Sequence, residues 1–187
     1  MNSIFFLIHK NPHMASASLA KFSEMLRYQL YECNDKQILL EKEIGYLHNF
    51  IELEKLRQDE DVTVHCDMQP PAHPWLIAPF ILMTFVENAF KHVSRHANHP
   101  NHIDIRLHTA DDQLHFAVSN SSGGGLSGQV LHYGGIGLRN VKRRLDLLYP
   151  DQYELNITQT PDRFDVSLTM QLEAAVTTST VNYLHHA

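Results

Sequence analysis

Residues Phe85–His92 read FVENAFKH, and what this stretch is decides the fold. Wound at about 100° per residue, Thr84, Glu87, Asn88, Lys91, His92 and Arg95 fall on one arc of a helix, and Leu82, Phe85, Val86, Ala89 and Val93 fall on the other. One face suits a core and the other carries chemistry. A carboxylate at Glu87 can polarise a water or an attacking imidazole, and the Asn88 carboxamide oxygen can hold Mg²⁺. Lys91 and His92 can approach phosphate oxygens, and together these are the groups that phosphoryl transfer from a nucleotide needs. The same residues equally describe an ordinary amphipathic helix with a solvated polar face, so the flanking chain has to choose.

Upstream, Asp61–Gln69 alternates through Val62, Val64 and Cys66 as a strand does. Pro70, Pro71 and Pro74 then mark a rigid linker ahead of the central helix, which lies within the apolar run Trp75–Val93. Downstream, His96–His102 is a polar loop. Ile103, Ile105 and Leu107, a turn at Asp111–Asp112, and Leu114, Phe116 and Val118 then predict a β-hairpin. Ser119–Gly134 holds most of the glycines and runs into GGIGL at Gly134–Leu138, after which Leu138, Val141, Leu145 and Leu148 predict a short amphipathic helix. Leu155 and Ile157, then Phe164, Val166, Leu168 and Met170, predict a last antiparallel pair, and the Thr/Ser-rich stretch from Glu173 is expected to fray.

The glycines of Gly134–Gly137 allow backbone N–H groups close to phosphates, and the N-terminus of the following helix adds about half a positive charge. Arg139, Lys142 and Arg143 strengthen that field. A lone glycine cluster also describes a mobile hairpin loop. Order along the chain adds weight: a polar-faced helix, a sheet, Asn120, a glycine loop and a second helix leave a pocket between the sheet-covering helices.

The first sixty residues follow another pattern. Met1–Ile8 is apolar enough for a helix end that begins without a cap. Asn11–Pro12 reads as an N-cap and first turn, with Ala15, Leu19, Phe22, Leu26 and Leu30 recurring at helical spacing to about Tyr31. After the polar link Glu32–Lys36, Leu40, Ile44, Leu47, Ile51 and Glu54 recur by fours and threes. Two long helices are expected to pair antiparallel. Their apolar stripe exceeds what one hairpin hides, so a homodimeric four-helix bundle is the expected cover. The expected division is 1–60 as a helical dimerisation segment, 61–172 as an α/β domain and 173–187 as a flexible tail, with a boundary near Gln58–Asp61.

Length and composition agree. A chain of 187 residues, 43% hydrophobic, can bury one core plus a helical appendage. A net charge of -6 and a pI near 6.1 speak against a nucleic-acid surface. Cys33 and Cys66 have no metal-type spacing and fit reduced thiols in a cytoplasmic protein. No apolar stretch reaches the roughly 18 residues that span a membrane. His92 and His96 stand at i, i+4 spacing with His99 and His102 nearby, but no cysteine or carboxylate joins them, and solvated histidines are the expectation over zinc.

VENAFKH at Val86–His92 and GIGLRNVKRRL at Gly135–Leu145 resemble the N-box and second glycine box of the GHKL ATPases. LRY at Leu26–Tyr28 and FIELEKLR at Phe50–Arg57, with Leu40, Glu43, Ile44 and Leu47 ahead, resemble the LytS-like sensor histidine kinases, a likeness that runs to about Leu172. The resemblance implies an α+β chain: a helical hairpin of dimerisation and phosphoacceptor type, then a GHKL-type α/β sandwich with a mixed, mainly antiparallel sheet. It implies Glu87 as the polarising catalytic carboxylate and Asn88 as the Mg²⁺ ligand. Lys91, His92, Asn120, Gly135, Gly137, Leu138 and Asn140 are implied as the nucleotide's neighbours. ATP and Mg²⁺ are the implied cofactors, and a homodimer, a response regulator and the inner membrane, reached through an upstream part of a parent protein, are the implied partners and location.

Two departures stand out. Asn120-Ser121-Ser122-Gly123-Gly124 replaces the family's Asp-x-Gly-x-Gly, so an uncharged oxygen would accept the adenine amino group. Met1-Asn2-Ser3-Ile4 looks like the stretch that follows the family's acceptor histidine, so the acceptor is expected just ahead of Met1. His13, in Asn11-Pro12-His13, reads as a helix-opening surface residue. Two other classes stay open at this point: a non-catalytic ATP-sensing scaffold, and another GHKL ATPase, against which the helical hairpin argues.

Overall fold

The computed structural model describes residues 2–58, 61–95, 100–123 and 136–175. Helix α1 (Asn2–Lys10) and helix α2 (Pro12–Arg27) meet at Asn11, whose side chain accepts from the Met14 N–H at 3.1 Å with Pro12 behind it. The end of α2 widens into a π-helical turn, Tyr28–Glu32. Helix α3 (Leu40–Lys55) runs back antiparallel, with Lys21 facing Glu52, Glu24 facing Asn49 and Gln29 facing Tyr46. Leu40, Ile44, Leu47 and Ile51 are buried as their spacing predicts. On α2 only part of the stripe is covered: Ala15 is buried, while Leu19 and Leu26 are 56% and 43% exposed and Leu30 beyond them 63%.

The second unit is a five-stranded sheet in the order β2 (Val62–Met68), β4 (Asn101–Ala110), β5 (Gln113–Ser121), β7 (Arg163–Gln171), β6 (Tyr153–Gln159). All pairs are antiparallel except β2 with β4, and helix α4 (Met83–His92) lies in the crossover between those two strands. Ile103, Ile105 and Leu107 of β4, Leu114, Phe116 and Val118 of β5, and Val166, Leu168 and Met170 of β7 make the buried face. Phe85 of α4 meets Phe116, with ring centroids 6.2 Å apart, so the helices lie over this face. Helix α5 (Ile136–Leu148) buries Leu138, Val141 and Leu145. Leu148, expected on that stripe, is 49% exposed, and Tyr149 turns inward in its place.

One element was not legible in the apolar periodicity. Trp75–Ile77 is strand β3 rather than the start of the central helix. It pairs with β1 (Ile38–Leu39) on one side and β8 (Glu173–Ala174) on the other. Pro74 excludes a helical run-in, and its carbonyl accepts from the Ala175 N–H at 2.7 Å. The small sheet joins the linker ahead of α3, the approach to α4, and the start of the Glu173 stretch.

Candidate nucleotide site

Helix α4 presents the arc that its sequence predicts. Phe85, Val86, Ala89 and Phe90 are buried, Asn88 and Thr84 are half-buried, and Glu87, Lys91 and His92 are exposed. The helix stops at His92, and Val93 turns extended, so Arg95 leaves the arc and the i, i+4 relation of His92 to His96 is not continued. Positions 96–99 lie outside the described residues. Among those described, no cluster of three or more His, Cys, Asp or Glu could hold a metal.

The end of α4 is tied to the strand ends by a buried network that periodicity does not reveal. Ser94 N–H donates to the Ser121 carbonyl at 2.8 Å, and the Ser94 hydroxyl bridges Asn101 Oδ1 (2.7 Å) and Ser121 Oγ (2.9 Å), which also accepts from the His102 N–H. This network fixes α4 beside Asn120. Asn120 is 1% exposed and on the helix-facing side of β5; its Nδ2 donates to the Ser121 carbonyl at 3.0 Å, while its Oδ1 has no partner among the described residues. An unpaired buried acceptor is costly in a folded protein and calls for a ligand donor.

Helix α5 closes the third side. At Gly137 an added Cβ would come 3.5 Å from Thr84 Cγ2, so the start of α5 abuts the start of α4. Leu138 is buried as an anchor, and Asn140 and Arg139 are exposed. Gly135, the other implied glycine, lies outside the described residues. The structure sets Gly137 at the start of α5 against Thr84 at the start of α4, and ties Ser121, next to Asn120 on β5, to Ser94 just past the far end of α4; Glu87 and Asn88 lie on the α4 arc between, and Leu138 and Asn140 follow Gly137 on α5. The imidazole of His92 is held below its usual range by partial burial and by Lys91 beside it, so it stays neutral at pH 7. Burial raises the phenol of Tyr46 on α3, and the negative charges of Glu43 and Glu87 add to it.

Residues 1–62 match the family described as histidine kinase. The sensor protein LytS of Staphylococcus saprophyticus is 28% identical over 180 residues, covering 91% of this chain and 30% of the relative. The sensor protein kinase HptS of Staphylococcus aureus is 31% identical over 71% of this chain and 25% of its own length. The chain is homologous to the LytS-type sensor histidine kinases. It spans less than a third of the length of these LytS and HptS relatives. Among solved structures, the histidine kinase AdeS of Acinetobacter baumannii superposes with a TM-score of 0.52 at 9% identity, over 89% of this chain and 83% of that one. ShkA, solved in complex with AMPPNP, gives 0.54 at 15% identity over 86% and 36%. The fold is that of the histidine kinases, as the LytS-like motifs imply, and no described helix is long and apolar enough to cross a membrane.

Proposed function

We propose that this chain binds Mg-ATP between α4, α5 and β5 and, as the kinase portion of a two-component sensor, transfers the γ-phosphoryl group to a histidine. The observation that carries the reading is Asn120 Oδ1, buried and unpaired among the described residues on the helix-facing side of β5. It suits the amino group of adenine. Asn88 would hold Mg²⁺, which matches a metal that takes one or two protein ligands and fills its shell with phosphates and water. When bound, that ion would neutralise charge on the phosphates. Lys91 adds a fixed positive charge to the phosphate end, and the start of α5 offers free backbone N–H groups.

In the transfer, one imidazole nitrogen forms a bond to the γ-phosphorus as the bond to the β,γ-bridging oxygen breaks, and ADP leaves with that electron pair. Glu87 orients the imidazole and takes the proton of its other nitrogen. The phosphoryl group then passes to an aspartate of a response regulator. The exposed stripe of α2 supports a homodimer through the helical hairpin, with 1–60 as the dimerisation segment, 61–172 as the ATP-binding domain and the parent protein held at the inner membrane.

The uncharged Asn120 also favours a second reading, a scaffold without transfer whose nucleotide binding is weak. Calorimetric titration of the chain with Mg-ATP, with GTP as control, tests both. Saturable binding selective for ATP supports the kinase reading, and no binding at millimolar ATP refutes it.

A further inference from the structure

Glu43, in the first turn of α3, is fully buried. Its Oε2 accepts from the Tyr28 hydroxyl at 2.6 Å and from the Phe80 N–H at 3.1 Å; the Leu82 N–H also faces the carboxyl, while Oε1 makes no hydrogen bond of normal geometry among the described residues. One carboxylate therefore joins the end of α2 to the turn that feeds α4. We propose that this Tyr28–Glu43–Phe80 relay is the latch through which the helical hairpin sets the position of α4 and so regulates nucleotide binding. The inference rests on the nucleotide reading of that site.

Phe80 explains why a latch is needed. Its φ is 60°, in the left-handed region that side-chain-bearing residues adopt only when their surroundings hold them there. Two groups hold the turn from the sheet-covering side: Arg144 donates to the Pro79 carbonyl at 2.8 Å, and the Tyr149 hydroxyl accepts from the Ala78 N–H at 2.7 Å. The hairpin holds it from the other side. There Glu43 takes the Phe80 N–H, and the Phe80 ring packs edge-on against Tyr28 and Tyr46, each with centroids 5.4 Å away.

Helix α4 starts directly after this turn, and its N-cap residue Leu82 makes no side-chain capping bond. The turn therefore sets where the helix begins. Thr84, against Gly137, comes first, and Glu87 and Asn88 follow one turn later. At the far end of the relay, Tyr28 opens the π-helical turn of α2. A π-helical turn holds one residue more than an α-helix fits, so its loss would rotate Tyr28 by roughly 100° about the axis and take its hydroxyl off Glu43. A register change in the hairpin thus has a mechanical path to α4 with two discrete states.

Tyr28→Phe tests this in the whole chain, because it deletes one hydroxyl and keeps the ring. Mg-ATP affinity should fall roughly tenfold. Without nucleotide, backbone amides of 80–88 should exchange faster while those of β4 and β5 do not change. The fluorescence of Trp75, the single tryptophan, should shift with the turn it precedes. Phe80→Gly removes the left-handed strain, so Tyr28→Phe should have little further effect in that background. Unchanged affinity and unchanged exchange over 80–88 in Tyr28→Phe would overturn the proposal, as would a lower melting temperature with affinity intact, which marks a purely structural bond. If the unaltered chain binds no Mg-ATP, the site reading fails first, and that result is visible before any variant is made.

Discussion

Replacing Asn120 with leucine should separate stability from binding. The side chains share the same branching and heavy-atom count, and position 120 is 1% exposed, so the change is mainly a swap of polar for apolar atoms in one buried space. The Nδ2 bond to the Ser121 carbonyl is lost, but that carbonyl still accepts from the Ser94 N–H at 2.8 Å and is not orphaned. Its loss costs about 1 kcal/mol, while removing the unpaired Oδ1 returns about 1–3 kcal/mol of desolvation. The nucleotide-free protein should therefore melt at the same temperature or up to several degrees higher, at roughly 2–4 °C per kcal/mol for a chain of this size. Bound adenine would then bury an amino N–H with no acceptor, and affinity for ATP should fall about five- to 150-fold with selectivity over GTP reduced. Differential scanning with and without nucleotide, and calorimetric titration, read both effects. A variant that melts several degrees lower without nucleotide would show that Oδ1 is satisfied in the folded state, and one that binds ATP normally would remove Asn120 from the site.

Asn88→Ala should abolish the Mg²⁺ dependence of ATP binding with the melting temperature within a few degrees, since Asn88 lies half-buried on the polar arc; unchanged Mg²⁺ dependence refutes the ligand role. Leu26→Glu, on the open stripe of α2, should convert a dimer to a monomer in sedimentation, and a wild-type chain already monomeric at high micromolar concentration would contradict the bundle. His13 is an exposed residue in the first turn of α2, so His13→Gln should leave any labelling by γ-labelled ATP unaltered; loss of label would make His13 the acceptor. Burial raises the Glu43 carboxyl above its ordinary 4.5, so from there upward the folded chain holds a proton that the unfolded chain has released. Stability should fall as pH rises through that window, and Glu43→Gln should flatten the slope; an equal slope in both proteins refutes it.

The strands and helices that pack by period were legible because burial imposes period. Ile103, Ile105 and Leu107 alternate, and Leu40, Ile44, Leu47 and Ile51 recur by helical turns, each set buried as its spacing implies. The polar arc of α4 was legible for the same reason, since one face of that helix had to be core. Trp75–Ile77 was hidden because a short buried strand and a buried helix end look alike in an apolar run, and its partners lie at positions 38–39 and 173–174. The Ser94–Asn101–Ser121 network was hidden because hydroxyls and amides carry no period, and nothing local says which of them meet. Glu43 offered a faint signal: an acid at a helix position whose neighbours one turn on either side, Leu40 and Leu47, are both core.

Two of the buried oxygens without partners flank α4, Asn120 Oδ1 beneath it and Glu43 Oε1 beside the turn that precedes it. Stability alone does not explain the first, because an apolar residue of similar shape would fill that space without the desolvation penalty. A ligand donor would account for the first. The second differs in kind: Glu43 contacts the groups on either side of a strained turn, and removing its carboxylate would leave the Tyr28 hydroxyl and the Phe80 N–H buried together without an acceptor. Strain at Phe80 and an unpaired acceptor at Glu43 are costs that a fixed joint has no use for, and that a joint with two settings needs in order to keep them close in energy. Helix α4 therefore stands between two unsatisfied groups, one that nucleotide would complete and one that the hairpin would control, and a change at either should be felt at the other.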